Sequence, residues 1–528
     1  MGKLNLLAIL TAMLLLPGVI ECANVVIFSM ISRSQLLSVS RIAEILAEDG
    51  HKPTIVAATN DLPDIKLGPK YDILTFETDL PRETEEDVGK QALAFSPKNI
   101  IMGKVPTTKP EIFGSRCRGF LLNEEFLAKF DALKPDVAII HSLMGCFGAH
   151  LYRKGIPYLD FCSMPLLPSL CGAPHRVPTN PSYVPDFFFS GDEMSFMERV
   201  VNTVVTALAP RLLPKFVYGR ADAAVAEYQT RHNLPREDVV TLRSKSSFVL
   251  VHGDVTFETI RPTMPKVVYI GGIQCDAPRP LMGDLKDFVD GSGEAGIVVF
   301  SLGGVLDTSA LPHNFVDNFF GIFRKLPQRV IWKLKDVPAH LVEKKPCNVM
   351  LVDWLPQQDL LGHPKTKLFI SHGGIQGSFE SICHGKALLG IGLFGDQFAN
   401  LRILTRKGMA IMVEDYNNLD PNVIEHQISQ LLNDPKYANA ALEAQTLFRD
   451  QPQTPAQRLQ HAVAYTLRHN GAHHLTSKAS MQLYWFQYCL VDVALFIGSL
   501  VIIAACLVYF CLKKCWRCCC SSKKAKEE

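Results

Sequence analysis

Between Trp354 and Gln397 the chain gathers side chains that could hold a charged, hydroxyl-rich ligand. Ser371-His372-Gly373-Gly374 sets two adjacent glycines after a histidine, and Glu380 and the pair Asp396-Gln397 follow. Trp354 and Gln357 lie upstream and supply a flat ring and an amide. A Gly-Gly turn that opens a helix suits an anion. Uncovered backbone N–H groups and the positive end of the helix dipole face the ligand, and the missing Cβ atoms let it come close. A carboxylate one helical turn further on can accept two hydroxyl donors. The local chain must deliver these groups to one place. The apolar run 368–370 reads as a buried parallel strand, 376–383 as a helix ended by Gly385, and 387–393 as the next strand. That order collects the polar groups at the carboxyl edge of a sheet, where open α/β sheets take their ligands.

Taken together, Trp354-Leu355-Pro356-Gln357, His372-Gly373-Gly374, Glu380 and Asp396-Gln397 resemble the signature of the animal UDP-glucuronosyltransferase/UDP-glucosyltransferase family. The resemblance covers nearly all of residues 24–520 and is densest over 248–397. It implies an α/β fold of the GT-B type, with two Rossmann-like doubly wound domains facing a cleft and a C-terminal transmembrane helix. The second domain would hold the UDP-sugar and the first a small lipophilic acceptor. By the same resemblance Trp354 stacks on uracil and Gln357 bonds the nucleoside. His372, Ser301 and the Gly373 and Gly374 amides hold the diphosphate, with Arg261 reaching it from the first domain. Glu380 takes the ribose hydroxyls, Asp396 and Gln397 grip the sugar, and Gln376 and Gly377 complete the turn. The chain has no Asp-x-Asp pair in a suitable loop, so the implied reaction uses no metal and no cofactor beyond the UDP-sugar, which is the donor substrate. Helix dipole, backbone N–H groups and His372 would meet the diphosphate charge.

The chain departs from the family pattern at several positions. Gln376 stands for the usual Asn, and Ala387 and Gly392 stand for prolines, which should loosen the strand ahead of Asp396 and Gln397. The family's general base is a His whose position here is Gln35, and its Asp partner falls on His141. General-base help is worth ~10²–10⁴-fold in rate. Acceptors that arrive already nucleophilic, amines or thiolates, depend on it least. His141 has two readings: a replacement base, since an imidazole pKa of ~6.5 suits the task, or a hydrogen-bonded histidine at a strand end. Two function classes follow. One is an inverting transferase moving glucose or glucuronic acid to small lipophilic acceptors. The other is a UDP-sugar-binding pseudoenzyme that partners active relatives, as homo- or hetero-oligomers.

A chain of 528 residues exceeds one ordinary core. A net charge of +2 argues against a nucleic-acid footprint. Residues 1–23 read as a secretory signal peptide. The uncharged apolar run 493–512 is long enough to cross a hydrocarbon core of ~30 Å. Lys513, Lys514 and Arg517 follow it, and Tyr484, Trp485 and Tyr488 precede it, which predicts a single pass with the bulk luminal and the tail cytosolic. The ending Lys524-Ala525-Lys526-Glu527-Glu528 fits a K-x-K-x-x retrieval pattern of the endoplasmic reticulum membrane. Of 15 cysteines, those at 506, 511, 515, 518, 519 and 520 lie in or beside the apolar run, a pattern that suggests S-palmitoylation more than metal binding. The others show no framework spacing, and their pairing stays open.

Alternating strand and helix patterns organise the rest. Strands are expected at 25–28, 53–58, 137–140, 156–161, 248–252, 267–272, 297–300, 330–334, 349–352 and 409–413, with a helix over 35–48. The irregular stretches 81–115 and 165–192 read as binding loops, with a membrane-touching role open for Phe187-Phe188-Phe189. The expected domains are an acceptor domain at 24–283, a linker at 284–296 and a donor domain at 297–450. A crossing helix and juxtamembrane segment at 451–488, the membrane helix at 489–512 and the tail at 513–528 complete the chain.

Overall fold

The computed structural model describes residues 22–29, 33–61, 68–80, 108–186, 193–303, 311, 314–334, 337–413, 415 and 419–524. The expectations for the signal peptide, most of the 81–115 loop, Phe187-Phe188-Phe189 and the residues after Lys524 lie outside them.

The first half builds β1 (Asn24–Phe28), β2 (Lys52–Ala58), β3 (Asp72–Phe76), β4 (Val137–His141), β5 (Tyr158–Cys162), β6 (Val249–Val251) and β7 (Val267–Tyr269). They form one sheet in the order β3-β2-β1-β4-β5-β6-β7, parallel throughout. The second half builds β8 (Ile297–Ser301), β9 (Arg329–Lys333), β10 (Val349–Val352), β11 (Thr366–Ser371), β12 (Leu388–Ile391) and β13 (Ala410–Val413). Their order is β10-β9-β8-β11-β12-β13, again all parallel. The central strands of both sheets are buried on both faces, which is why they read as continuous Val/Ile/Leu runs.

Each sheet has an aromatic core. In the first, Phe28 and Phe120 both pack on Phe147 at 4.6 Å. In the second, Trp332 stacks on Phe300 at 4.5 Å, and Phe319, Phe320 and Phe323 from the helix Phe315–Phe323 surround it. The stretch 284–296, expected as a linker, carries the helix Gly283–Asp290, whose Val289 is fully buried in the second half's core.

The described residues up to His473 form one compact unit. Where the halves meet, His252 is stacked between Phe161, at 6.3 Å, and Phe379, at 5.8 Å. A Cβ on Gly271 would lie 2.4 Å from the Phe379 ring and one on Gly272 2.4 Å from Phe448, so only glycine lets this segment through. Cys275 and Cys383 join the halves by a disulfide, whereas Cys117–Cys146 and Cys162–Cys171 lie within the first half. The helix Pro455–Arg468 returns to pack on β4, β7 and the helix Arg33–Glu48. Gln451 and Arg458 fasten it to the buried Asp254 carboxylate.

The helix Phe196–Arg231 runs 36 residues despite Pro210 and Pro214, and it starts at a Ser195/Glu198 capping box. Its first half leaves Phe196, Val200, Val204, Leu208, Leu212 and Phe216 exposed in a single row four residues apart. The described residues from His474 onward form a separate unit. In it the helix Val491–Lys524 carries, within Val491–Arg517, an apolar stretch long enough to cross a membrane.

Candidate functional site

The parallel register across the second sheet aligns Val352, Lys333, Ser301, Ser371 and Gly390 in one row at the carboxyl ends of β10, β9, β8, β11 and β12. Everything that follows those strands emerges on this edge. After β11 the chain turns at Gly373 (φ +76), a left-handed conformation that favours glycine, and a Cβ there would strike Leu401 at 2.3 Å. Gly374 then caps the helix Ile375–Cys383, whose first N–H groups face the edge. The His372 ring lies between two glycines. A Cβ on Gly303 would be 2.9 Å from it and one on Gly374 2.5 Å.

Burial and the nearby Lys333 ammonium lower the His372 pKa to about 4, against a backbone hydrogen bond at Ser301 that raises it. The imidazole is therefore neutral near pH 7. Its hydrogen bond to the Ser301 backbone engages the single N–H of the neutral ring. The edge does carry a cation that sequence reasoning missed. Lys333, the last residue of β9, holds its Nζ 4.8 Å from the centre of the Trp354 ring. Trp354 is 47% exposed. Only the position of Lys333 at the end of an apolar strand could have marked it.

Gln357 donates from Nε2 to Glu380 Oε2 at 2.5 Å. Withdrawal from water pushes the Glu380 carboxyl up to about 7, while this amide pulls it down. Gly377 faces the same pair: a Cβ there would sit 3.6 Å from Gln357 Nε2. On the far side of the turn, Gln397 accepts from the backbone N–H groups of Leu393 and Phe394 at 2.9 and 3.1 Å. Its amide oxygen thus holds the loop that follows Gly392. Asn400, fully buried and also missed, donates to Asp396 Oδ2 at 2.9 Å and to the Gly373 carbonyl at 3.0 Å. It ties the Asp396 carboxylate to the glycine turn. Its spacing of four residues from Asp396 on a helix was the available signal.

Two sequence-selected residues point elsewhere. The Gln376 amide donates to Ser38 Oγ of the first half, and its own carbonyl accepts from Gln274 Nε2 at 3.2 Å. Since Ser38 and Gln376 both lie near the starts of helices that follow strand ends, the carboxyl edges of the two sheets turn toward each other. Arg261 does not reach the second half. It donates to the Leu166 carbonyl and pairs with the buried Glu258 at 3.6 Å, which leaves it a strut inside the first half. Glu258, raised by burial to about 6 and held down by Arg261, is an unattractive carboxylate to leave alone.

On the first half's edge, Gln35, in the first turn of its helix, donates to Ser163 Oγ at 3.3 Å. His141 Nε2 lies 2.7 Å from the same oxygen, and its Nδ1 accepts from the Leu143 N–H at 3.2 Å. That bond fixes Nδ1 as the bare nitrogen, so Nε2 carries the proton and gives it to Ser163. Burial lowers the His141 pKa to about 3. With both nitrogens engaged and no surface exposed, the ring is a hydrogen-bonded histidine at the end of β4. Ser163, which links the two altered positions, was not visible in the sequence as a partner of either.

The family model for UDP-glucoronosyl and UDP-glucosyl transferases matches residues 24–526. The chain belongs to this family. UDP-glucuronosyltransferase 2A3 of Cavia porcellus is 29% identical over 96% of this chain and 95% of its own length. The human 2-hydroxyacylsphingosine 1-beta-galactosyltransferase is 34% identical over 73% of this chain and 67% of its own length. Among solved structures, the Os79 protein of O. sativa, in complex with U2F and trichothecene, matches 84% of this chain and all of its own, with a TM-score of 0.58 at 15% identity. A UDP-glucosyltransferase of Polygonum tinctorium matches 85% of this chain and 99% of its own, with a TM-score of 0.57 at 14% identity. The architecture is GT-B, as the sequence resemblance implies, and this UDP-glycosyltransferase is a hexosyltransferase by family.

Proposed function

We propose that the chain moves a glucosyl or glucuronosyl group from its UDP-sugar to small lipophilic acceptors whose nucleophile needs no general base, amines and thiols above all. The observation that carries this reading is the sheet-edge cluster built on Gly373, Gly374, His372, Glu380 and Asp396. In this account the uracil stacks on Trp354, and the ribose hydroxyls donate to Glu380. The diphosphate meets the helix N-terminus and the Lys333 ammonium beside the His372 ring, and Asp396 accepts from the sugar hydroxyls. The acceptor's lone pair attacks C1 from the face opposite UDP, the C1–O bond breaks, and the anomeric centre inverts. UDP leaves with its charge spread over groups already in place. An amine that has attacked then loses its proton to solvent.

Gln35 and the buried His141 support the restriction on acceptors, because neither can remove a proton from a hydroxyl in the first half's edge. The exposed apolar row that begins at Phe196 supports a lipophilic acceptor. The same observation favours a second reading, a donor-binding partner without turnover. We place the protein in the endoplasmic reticulum membrane as a single-pass chain, both sheets luminal and the tail cytosolic, on the apolar helix and its basic flank.

The test is transfer by microsomes carrying the full chain, with UDP-glucose or UDP-glucuronate and matched amine, thiol and phenol acceptors. The proposal expects amine or thiol products at rates at least ~10²-fold above phenol products. Donor binding without transfer to any acceptor would establish the partner role instead. Phenol turnover equal to amine turnover would refute the restriction.

A further inference from the structure

The nucleotide chemistry makes no use of the cysteines where the apolar helix ends. The helix Val491–Lys524 continues unbroken past Leu512 through Lys513, Lys514 and Arg517. Cys511 and Cys515 are free and exposed on it. Cys518 follows one turn later, then Cys519 and Cys520. At a rise of ~1.5 Å per residue, positions 515 and 518 fall roughly 5 and 9 Å beyond Leu512, at the level of the lipid headgroups. Positions 511 and 515, four residues apart, keep to one side of the helix. Zinc would require ligands closing around one ion, and neither histidine nor carboxylate accompanies the thiols until the final Glu527-Glu528.

We propose that Cys515, Cys518, Cys519 and Cys520 are S-acylation sites for long-chain fatty acyl groups. The inference rests on the membrane-spanning reading of this helix and is independent of the donor site. In the step itself, a cysteine thiolate attacks the carbonyl carbon of a fatty acyl-CoA thioester. The carbonyl–sulfur bond to coenzyme A breaks, and coenzyme A leaves as a thiolate that takes up the proton released by the cysteine. No oxidant or reductant is needed. The acyl chain then lies back along the apolar helix in the leaflet it already spans.

The experiment uses the full chain expressed in cells. Free thiols are blocked with maleimide, thioesters are cleaved with neutral hydroxylamine, and the thiols released are labelled with a polyethylene-glycol maleimide. The expected result is a ladder of at least one mass step that requires hydroxylamine, survives in Cys347→Ser and disappears when Cys515, Cys518, Cys519 and Cys520 are all changed to Ser. Binding of UDP by that quadruple variant should match wild type, so failure here and failure of the donor-site reading are seen in different measurements. No ladder, a ladder released by dithiothreitol alone, or one that persists in the quadruple variant would overturn the proposal.

Discussion

Glu380 offers the sharpest test of the donor site, because its proton reports on the ligand. Burial holds the carboxyl at about 7 in the empty protein, with only the Gln357 amide favouring the ionised form. Ribose hydroxyls donating to both oxygens would restore an ordinary carboxylate value near ~4.3. Binding must then release a proton wherever the empty site is still protonated, so affinity rises with pH. For these two values the affinity for a UDP-sugar increases about tenfold from about pH 6 to about pH 8 and levels off above. The assay is titration calorimetry of the full chain with UDP-glucose, whose diphosphate does not titrate in this range, in two buffers of different ionisation enthalpy. Glu380→Gln should flatten the profile and abolish proton release. The empty protein shows the converse: a carboxyl raised above its unfolded value of 4.5 stabilises below that pH, and its contribution is lost as the pH climbs through about 7. An affinity that is independent of pH, or that strengthens toward acid, refutes the reasoning.

Five further outcomes are expected. Asn400→Ala leaves the Asp396 carboxylate and the Gly373 carbonyl without their amide, costing about 2 kcal/mol and raising the donor KM in steady-state assays. Lys333→Ala should weaken UDP binding by about tenfold, corresponding to the loss of ~1.4 kcal/mol of charge-assisted contact, and should reduce its salt dependence. Combining Gln35→His with His141→Asp installs a base and its partner, so phenol transfer should rise by about 10²-fold or more. His141→Asp alone should lower the melting temperature, because it buries a carboxylate whose nearby cation, Arg243, is already paired with Asp160. Replacing Cys275 and Cys383 with Ser frees the join between the halves and should cost ~2–4 kcal/mol in denaturant titrations.

The strands and the Gly373-Gly374 turn were legible because each is a local signal, either an apolar run bounded by glycine or a helix start after a strand. The helix Phe196–Arg231 was missed since two prolines and an apolar composition on several sides blur its period. Its capping box at Ser195 and Glu198 was the one clear sign. β3 was missed because four of its five residues remain partly or fully exposed, so no buried run announces it. What the sequence hid at the site was pairing across space. That Ser163 joins Gln35 to His141 follows from the register of the parallel strands β4 and β5, whereas Arg261–Glu258 and Asn400–Asp396 are local pairs three and four residues apart. The partners of the disulfides also come from the fold, and Cys275–Cys383 spans a sequence separation of 108.

The central claim is that a donor diphosphate rests on the turn at Gly373 and Gly374, and binding of UDP to Gly374→Ala tests it most directly. Gly374 has φ −59 and ψ 147, which alanine adopts freely, yet its Cβ would lie 2.5 Å from His372 Nε2 and intrude on the cradle. Measured by titration calorimetry on the full chain, UDP affinity should fall by at least about tenfold while the melting temperature stays within about 2 °C of wild type. A variant that binds UDP as tightly as wild type would contradict the account.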